Sequence, residues 1–270
     1  MSNMGYTDYN TFLMFGDSIT EFAFNQFPDS SSRVPQFSLG SALQNVYTRK
    51  LQVLHRGFSG YTSRDALPLA KSILNEEFDK QPDSKKIKIA YVFFGTNDAR
   101  LRGLSSENNE HIPLENYLEN MVLVIKEFND RNIPVIVITP GLHDQNLWNI
   151  QYPQDLVTGD YRTNENNKLY QDKLTEKINN SGYKNAYILP LYNIMIDWIE
   201  KNGSEMAKNG DYSEILSDGI HFTGLGYEIL YDAIMNIINT KIKSFSPIFM
   251  HMQFPHRITL RDHTFDQINN

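Results

Sequence analysis

The sequence predicts an α/β protein built around one open, parallel sheet. Short apolar runs alternate with amphipathic stretches along the chain, which is the pattern of units in which a helix crosses over between two parallel strands. The runs are apolar at nearly every position, as strands are when helices cover both faces of their sheet. The chain has 270 residues, of which 40% are hydrophobic, and this suffices for one sizeable core. We therefore expect a single main domain.

Five strands, two crossover helices and one last helix follow from these runs. The strand candidates are residues 12–15, 51–54, 87–94, 135–138 and 186–189. Apolar side chains at helical spacing indicate helices within residues 37–47, 117–128 and 227–238, and the last of these follows the turn Gly224-Leu225-Gly226. We expect the domain to span residues 1–243. Residues 244–270 then form a tail that packs on the domain or on a second subunit.

The charge and composition disfavour several classes of function. The formal net charge is -7, and the Lys and Arg residues are scattered, so we expect no nucleic-acid partner. The chain has no cysteine, which excludes disulfides and thiolate chemistry and favours a cytoplasmic protein. No stretch reaches the roughly 20 apolar residues of a membrane span, and the first ten residues lack the apolar core of a signal peptide. We therefore expect neither a membrane span nor a signal peptide.

Three polar segments follow the first three predicted strands, and they should lie along one rim of the sheet. They are Gly16-Asp17-Ser18, the stretch of residues 56–63 and Gly95-Thr96-Asn97-Asp98. Ligands of open parallel sheets bind at the carboxyl ends of the strands, so these residues are functional candidates. Taken alone, a Gly-Asp-Ser turn is more typical of a helix entry, where Asp17 or Ser18 caps free backbone N–H groups.

The rim segments together hold what an acyl-transfer reaction needs from a serine. A serine hydroxyl becomes a good nucleophile when a histidine takes its proton and an acceptor orients that histidine. Asp218 and His221 are three residues apart and fit on one tight turn, so they are candidates for the orienting acceptor and the base of Ser18. The backbone N–H groups of Ser18 and Gly60 and the amide of Asn97 are candidate donors to the oxyanion.

These blocks resemble those of the SGNH, or GDSL-type, hydrolases. Gly-Asp-Ser, a glycine at 60, Gly-x-Asn-Asp and Asp-x-x-His occur in the order of that family, and the similarity runs from about residue 10 to residue 243. The resemblance implies a flavodoxin-like, three-layer α/β/α sandwich and hydrolysis of short-chain acetate esters. It also implies Ser18 as nucleophile, His221 as base, Asp218 as its orienter, and Ser18, Gly60 and Asn97 as the oxyanion hole. No metal or cofactor is expected.

Several supporting roles and alternatives complete this interpretation. Asp17 is expected to shape the nucleophile turn and Asp98 to steady Asn97. Expected neighbours of a small-molecule ester are Phe22, Phe24, Phe58 and His143. Ser59 is a weak rival nucleophile, because the chain has no Gly-x-Ser-x-Gly elbow.

Some alternatives stay open at the level of sequence. Thioesters and O-acetyl sugars pass through the same kind of oxyanion intermediate as acetate esters. A catalytically silent binding module of the same fold is the rival from another class. The resemblance also makes a homodimer an expectation, with the contact sought in the apolar tail between Phe245 and Phe254.

Overall fold

The five predicted strands form one parallel sheet in the computed structural model, which describes residues 8–28, 33–105 and 108–253. The strands are β1 (Thr11–Gly16), β2 (Gln52–Gly57), β3 (Ile87–Phe93), β4 (Val135–Ile138) and β5 (Ala186–Leu189). Their spatial order is β2-β1-β3-β4-β5. The chain therefore adds β2 on one side of β1 and all later strands on the other side. The carboxyl ends of β1 and β3 border the point at which this order reverses.

Helices cover both faces of this sheet. The helices are α1 (Ser18–Glu21), α2 (Leu39–Val46), α3 (Ser63–Leu74), α4 (Leu114–Asp130), α5 (Gln145–Gln151), α6 (Gln154–Thr158), α7 (Asn164–Asn179), α8 (Leu191–Asn202), α9 (Glu205–Lys208) and α10 (Gly224–Lys241). Single 3₁₀ turns lie at Phe22–Phe24 and Lys243–Phe245, and a π-helical turn lies at Asn75–Asp79. Among the described residues, no helix has the length and apolar character needed to cross a membrane.

Alternate side chains of each strand enter two separate hydrophobic cores, because successive residues of a strand point to opposite faces. Phe12 and Met14 of β1 pack in the core beneath α2, α8 and α10. Leu13 and Phe15 pack in the core beneath α3, α4 and α7. The predicted three-layer α/β/α sandwich with a five-stranded parallel sheet is thereby confirmed.

The second strand is longer than its sequence indicates. The apolar run ends at Leu54, but β2 continues through His55 and Arg56 to Gly57. The additional residues belong to the strand because their backbone pairs with β1 as far as Gly57, which lies opposite Gly16. Both polar side chains have partners: a His55 ring nitrogen lies 2.7 Å from the Thr20 carbonyl oxygen, and Arg56 pairs with Glu77 at 2.8 Å. This extension carries the chain to the rim beside Ser18.

The described part of the tail, residues 244–253, lies against the domain. The Tyr47 hydroxyl donates to the Phe245 carbonyl oxygen at 2.8 Å, and the backbone N–H of Gln253 donates to the Arg49 carbonyl oxygen at 2.7 Å. The side chains of Ile248 and Phe249 remain exposed, at 79% and 65%. Phe254, named above as the end of the apolar tail, and the residues after it lie outside the described residues.

Candidate active site

The turn after β1 places Ser18 at the start of a helix. Asp17 caps this helix, because its Oδ1 accepts a hydrogen bond from the Ile19 N–H at 3.0 Å. Gly16 has no room for a side chain: a Cβ there would lie 2.2 Å from the Thr20 hydroxyl oxygen and 2.6 Å from the Phe93 carbonyl oxygen. The tight packing of strand, turn and helix therefore fixes Ser18 at the sheet edge, where it is almost completely buried.

The turn from Asp218 to His221 holds a carboxylate against an imidazole. Oδ1 of Asp218 accepts hydrogen bonds from the N–H groups of Ile220, at 2.9 Å, and His221, at 2.8 Å. Gly219 has a φ of 98°, a left-handed conformation that favours glycine, and a Cβ there would lie 2.3 Å from the Asp144 carbonyl oxygen. This geometry leaves Asp218 Oδ2 free for the ring, 2.6 Å from His221 Nδ1.

The other ring nitrogen of His221 meets Ser18. Nε2 lies 2.8 Å from Ser18 Oγ, although the two residues are 203 positions apart in the chain. A carboxylate only accepts hydrogen bonds, so it assigns the ring proton to Nδ1 and leaves Nε2 to accept from the serine hydroxyl. The structure thus brings together Ser18, His221 and Asp218 in one chain of hydrogen bonds.

The environment keeps Asp218 ionised. Its partial burial acts to raise the pKa, but the hydrogen bond and charge of His221, together with the two backbone N–H groups, hold the pKa of this carboxyl below its usual range. The Phe22 ring packs edge-on against the imidazole, with ring centroids 5.1 Å apart. A charged acceptor and an aromatic neighbour therefore fix the orientation of His221.

The two predicted donor segments after β2 and β3 are joined to each other. Asn97 Nδ2 donates to the Tyr61 carbonyl oxygen at 3.0 Å, next to Gly60. Gly60 has a φ of 76°, and a Cβ there would meet no atom within 4 Å, so backbone conformation rather than crowding favours glycine. An amide nitrogen carries two hydrogens, so Asn97 retains a second donor.

The chain's similarity to known proteins agrees with this geometry. The family model for GDSL-like lipases and acylhydrolases matches residues 12–234. The chain belongs to this family. It is 36% identical to the isoamyl acetate-hydrolyzing esterase of Saccharomyces cerevisiae over 241 residues, which cover 89% of this chain and 90% of that one. A human homologue of that esterase is 30% identical, covering 86% of this chain and 82% of its own.

Solved structures agree with the fold of this GDSL-family chain. An acetylxylan esterase from Geobacillus stearothermophilus superposes with a TM-score of 0.56 at 17% identity, covering 88% of this chain and 97% of that one. A second acetyl xylan esterase gives a TM-score of 0.59 at 16% identity, with coverages of 84% and 99%. The predicted family and the predicted class, a carboxylic ester hydrolase, are confirmed by the family and its esterase relatives. This class favours the enzyme over a silent binding module.

The carboxyl groups of Asp17 and Asp98 are buried behind the candidate site. Asp98 accepts hydrogen bonds from the N–H of Ser63 at the start of α3, at 3.0 and 3.1 Å. Asp17 Oδ1 caps α1 as described, while in the described part of the chain its Oδ2 has no hydrogen-bond partner. Burial is the main cause that raises the pKa of each carboxyl to about 7.

This burial predicts how Asp17→Asn changes stability with pH. The folded state holds the Asp17 proton up to about pH 7, whereas the unfolded chain releases it near its usual pKa of 3.8, so wild-type stability falls between these values. Asparagine keeps an oxygen that can cap Ile19 and does not titrate. The free energy of unfolding of the variant relative to wild type should therefore rise from about pH 4 to pH 7, by at most about 1.4 kcal/mol per pH unit.

Urea unfolding of both proteins at pH 4, 5, 6, 7 and 8 measures this difference. Above about pH 7 the difference should become constant, because both states have then lost the proton. Parallel stability curves from pH 4 to 7 would contradict the burial of an ionisable Asp17.

A small cavity lies beside His221. It has a volume of about 200 Å³ and is lined by Phe22, Asn25, Pro28, Ser217, Asp218, His221, Phe222 and Tyr227. Of the four predicted substrate neighbours, Phe22 is part of this lining. The Phe24 ring packs on His55, with centroids 5.5 Å apart, and the Phe58 ring stacks on Tyr61 at 5.3 Å. Contact of Phe24 and Phe58 with substrate stays a prediction.

His143 is buried behind the turn that carries His221. Its Nδ1 lies 2.7 Å from the Gly219 carbonyl oxygen, and its Nε2 faces the side chain of Gln145 at 3.1 Å. Burial, followed by the charge of Arg162, lowers the pKa of His143 to about 4, so this ring is neutral at pH 7. It lines a separate polar cavity rather than the one beside His221. Its contact with substrate stays a prediction.

One contact at the site, between Arg162 and Asn97, was not predicted from the sequence. Nη2 of Arg162 donates to Asn97 Oδ1 at 3.2 Å, from 65 residues further along the chain. The segment Tyr161-Arg162-Thr163-Asn164 shows no spacing that points to Asn97, because this contact depends on how two loops meet at the rim.

Proposed function

We propose that this chain is a serine esterase that hydrolyses short-chain carboxylic esters, such as isoamyl acetate, through an acyl-enzyme on Ser18. The observation that carries the proposal is the hydrogen-bonded chain of Ser18, His221 and Asp218, with distances of 2.8 and 2.6 Å. The named substrate comes from the yeast relative, which matches this chain over nearly its full length.

The proposed cycle begins when His221 Nε2 takes the proton of Ser18 as Oγ attacks the ester carbonyl carbon. The N–H groups of Ser18 and Gly60 and the Asn97 amide donate to the oxyanion that forms. The C–O bond to the alcohol then breaks, and His221 gives the proton to the leaving oxygen. A water molecule attacks the acyl-serine, with His221 again as base, and this step releases the acid and restores Ser18. The proposed cycle uses no metal or cofactor.

The size of the cavity beside His221 supports a small acyl group, and a second cavity of about 520 Å³, which shares Pro28, Ser217 and Asp218 with it, offers room for a larger alcohol group. The volume of the cavity beside His221, about 200 Å³, is below the range of roughly 300–1,000 Å³ that is typical of pockets for drug-sized ligands. The Phe22 ring forms one wall of the cavity and packs against His221, so a long chain meets an aromatic obstacle beside the base. We therefore propose a narrow acyl side with acetate preferred.

The substrate series of isoamyl acetate, butyrate and octanoate tests this preference, because only the acyl length changes. The kcat/KM on acetate should exceed that on octanoate by at least about tenfold, since misfit in an apolar pocket costs about 1–3 kcal/mol. Butyrate should fall between them. Faster hydrolysis of the octanoate than of the acetate would refute the small acyl site, while leaving ester hydrolysis itself in place.

Two properties outside the site complete the proposal. The chain has no cysteine and so needs no oxidising compartment, which supports a cytoplasmic location.

The tail carries three exposed apolar side chains, those of Ile248, Phe249 and Met252. A second copy of the chain could cover these side chains, which supports a homodimer. We expect sedimentation at micromolar concentration to give twice the mass of 31.3 kDa. A monomer mass under these conditions would end the dimer proposal.

A further inference from the structure

The amide of Asn97 has a defined orientation in the structure. Its oxygen accepts from Arg162 Nη2 at 3.2 Å, and its nitrogen donates to the Tyr61 carbonyl oxygen at 3.0 Å. A guanidinium group has only donors, so it requires the amide oxygen, not the NH₂ group, on its side. Arg162 therefore sets which end of Asn97 is turned toward the Gly60 segment.

Arg162 is itself held firmly for a charged side chain. It is 2% exposed, and its Nε donates to the carbonyl oxygen of Thr96 at 3.2 Å. Nη2 also pairs with Glu110 at 2.8 Å, and the guanidinium lies 5.2 Å from the centre of the Trp148 ring. The guanidinium thus contacts both the backbone just before Asn97 and the side chain of Asn97.

The charge of Arg162 extends to the nucleophile turn. Although burial is the main cause that raises the pKa of Asp17, the positive charge of Arg162 acts in the opposite direction on the same carboxyl. Asp17 directly precedes Ser18. A buried positive charge felt at this turn favours the negative charge that develops on the ester oxygen during attack by the serine.

We propose that Arg162 is a positioning residue for ester hydrolysis, which holds and polarises the Asn97 amide so that Nδ2 donates to the oxyanion. Donation to an amide oxygen strengthens the N–H groups of the same amide as donors, because linked hydrogen bonds polarise one another. This inference rests on the proposed function. It adds to that proposal a group that touches no substrate and acts through Asn97.

A double-mutant cycle tests the inference, with kcat and KM measured on isoamyl acetate. Asn97→Ala should lower kcat by about 10²–10³. Arg162→Met, which removes the donors and the charge, should lower kcat by about tenfold with KM within about twofold. In the Asn97→Ala background, Arg162→Met should have no more than about a twofold further effect, because the two residues act as one unit. A full tenfold effect in both backgrounds would overturn the inference.

Arg100→Met is the matched control. Arg100 pairs with the same Glu110, at 3.1 Å, and with Asp155, at 2.9 Å, but within the part of the chain that the structure describes its side chain makes no hydrogen bond to the Asn97 amide. Its loss should lower the Tm while kcat stays within about twofold of wild type. If Arg100→Met lowered kcat as much as Arg162→Met, the effect would belong to the ion-pair network, and the inference would fail.

A conservative variant covers the case in which Arg162→Met does not fold. Arg162→Lys keeps the charge but cannot reach Thr96 and Asn97 with a planar fork, so it should show a smaller kcat loss than methionine, again confined to the background with Asn97. An equal loss in both backgrounds overturns the inference for this variant too. A wild-type protein without esterase activity would instead reject the proposed function, and the inference with it.

Discussion

Ser18→Ala is expected to abolish ester hydrolysis, with a loss in kcat of about 10⁶-fold, because the members of a serine–histidine–aspartate set act as a unit. The substitution removes only the hydroxyl group of a buried side chain at the start of α1, so the fold should be unchanged. Hydrolysis of isoamyl acetate, followed as release of acid, measures the loss. A variant with a tenth of the wild-type rate would reject Ser18 as the nucleophile.

Ser59→Ala is the matched control for this experiment. Ser59 lies on the same rim, next to Gly60, but its side chain is exposed and it lacks a histidine at hydrogen-bond distance in the structure described. We expect its kcat to remain within about twofold of wild type. Mass spectrometry after treatment with an organophosphonate should find the adduct on Ser18 in both wild type and Ser59→Ala. An adduct on Ser59 would contradict the assignment.

Asp218→Asn is expected to lower kcat by about 10⁴-fold, the size of effect seen when the orienting carboxylate of such a set becomes an amide. Asparagine keeps an oxygen for the N–H groups of Ile220 and His221, so the turn should persist. Its NH₂ group would face the ring and favour the wrong tautomer of His221, with the proton on Nε2. Steady-state kinetics together with a thermal melt separates this loss from unfolding.

Asp211→Asn provides the same chemical change nearby. Asp211 Oδ1 accepts from the Ser213 N–H at 3.0 Å, a contact that asparagine can also make, and Asp211 lies seven positions before Asp218 on the same connection. Its kcat should stay within about twofold of wild type. A loss of similar size in both variants would indicate that this connection responds generally to lost charge, rather than that Asp218 orients His221.

Much of the fold could be predicted because most of its strands are short apolar runs separated by longer amphipathic stretches. The helices that were also predicted, α2, α4 and α10, carry apolar stripes that face a core. The polar helix α7 was not predicted, because polar side chains such as Asn167 and Gln171 occupy part of its buried face. Asn167 donates to the Gly141 carbonyl oxygen at 2.9 Å, and the position of this partner is set by the tertiary fold.

The candidate site divides in the same way between local and distant contacts. The pairing of Asp218 with His221 could be predicted because it lies within one turn, whose spacing is visible in the sequence. The placement of Ser18, Gly60 and Asn97 after three strands of one parallel sheet could be expected, because parallel strands end at a common rim. The contact of Arg162 with Asn97 could not be predicted, since it depends on side-chain packing between two loops and follows no repeat or spacing.

The separation of 203 residues between Ser18 and His221 has a consequence for the synthesis of this protein. Ser18 precedes four of the five strands in the chain, and His221 comes after the last strand, β5. A nascent chain is made from its N-terminus, so Ser18 is synthesised well before His221, the residue that meets its hydroxyl. If His221 is the base of the proposed reaction, the growing polypeptide acquires ester cleavage only after His221 has been made, and we expect a chain that ends before His221 to lack this activity.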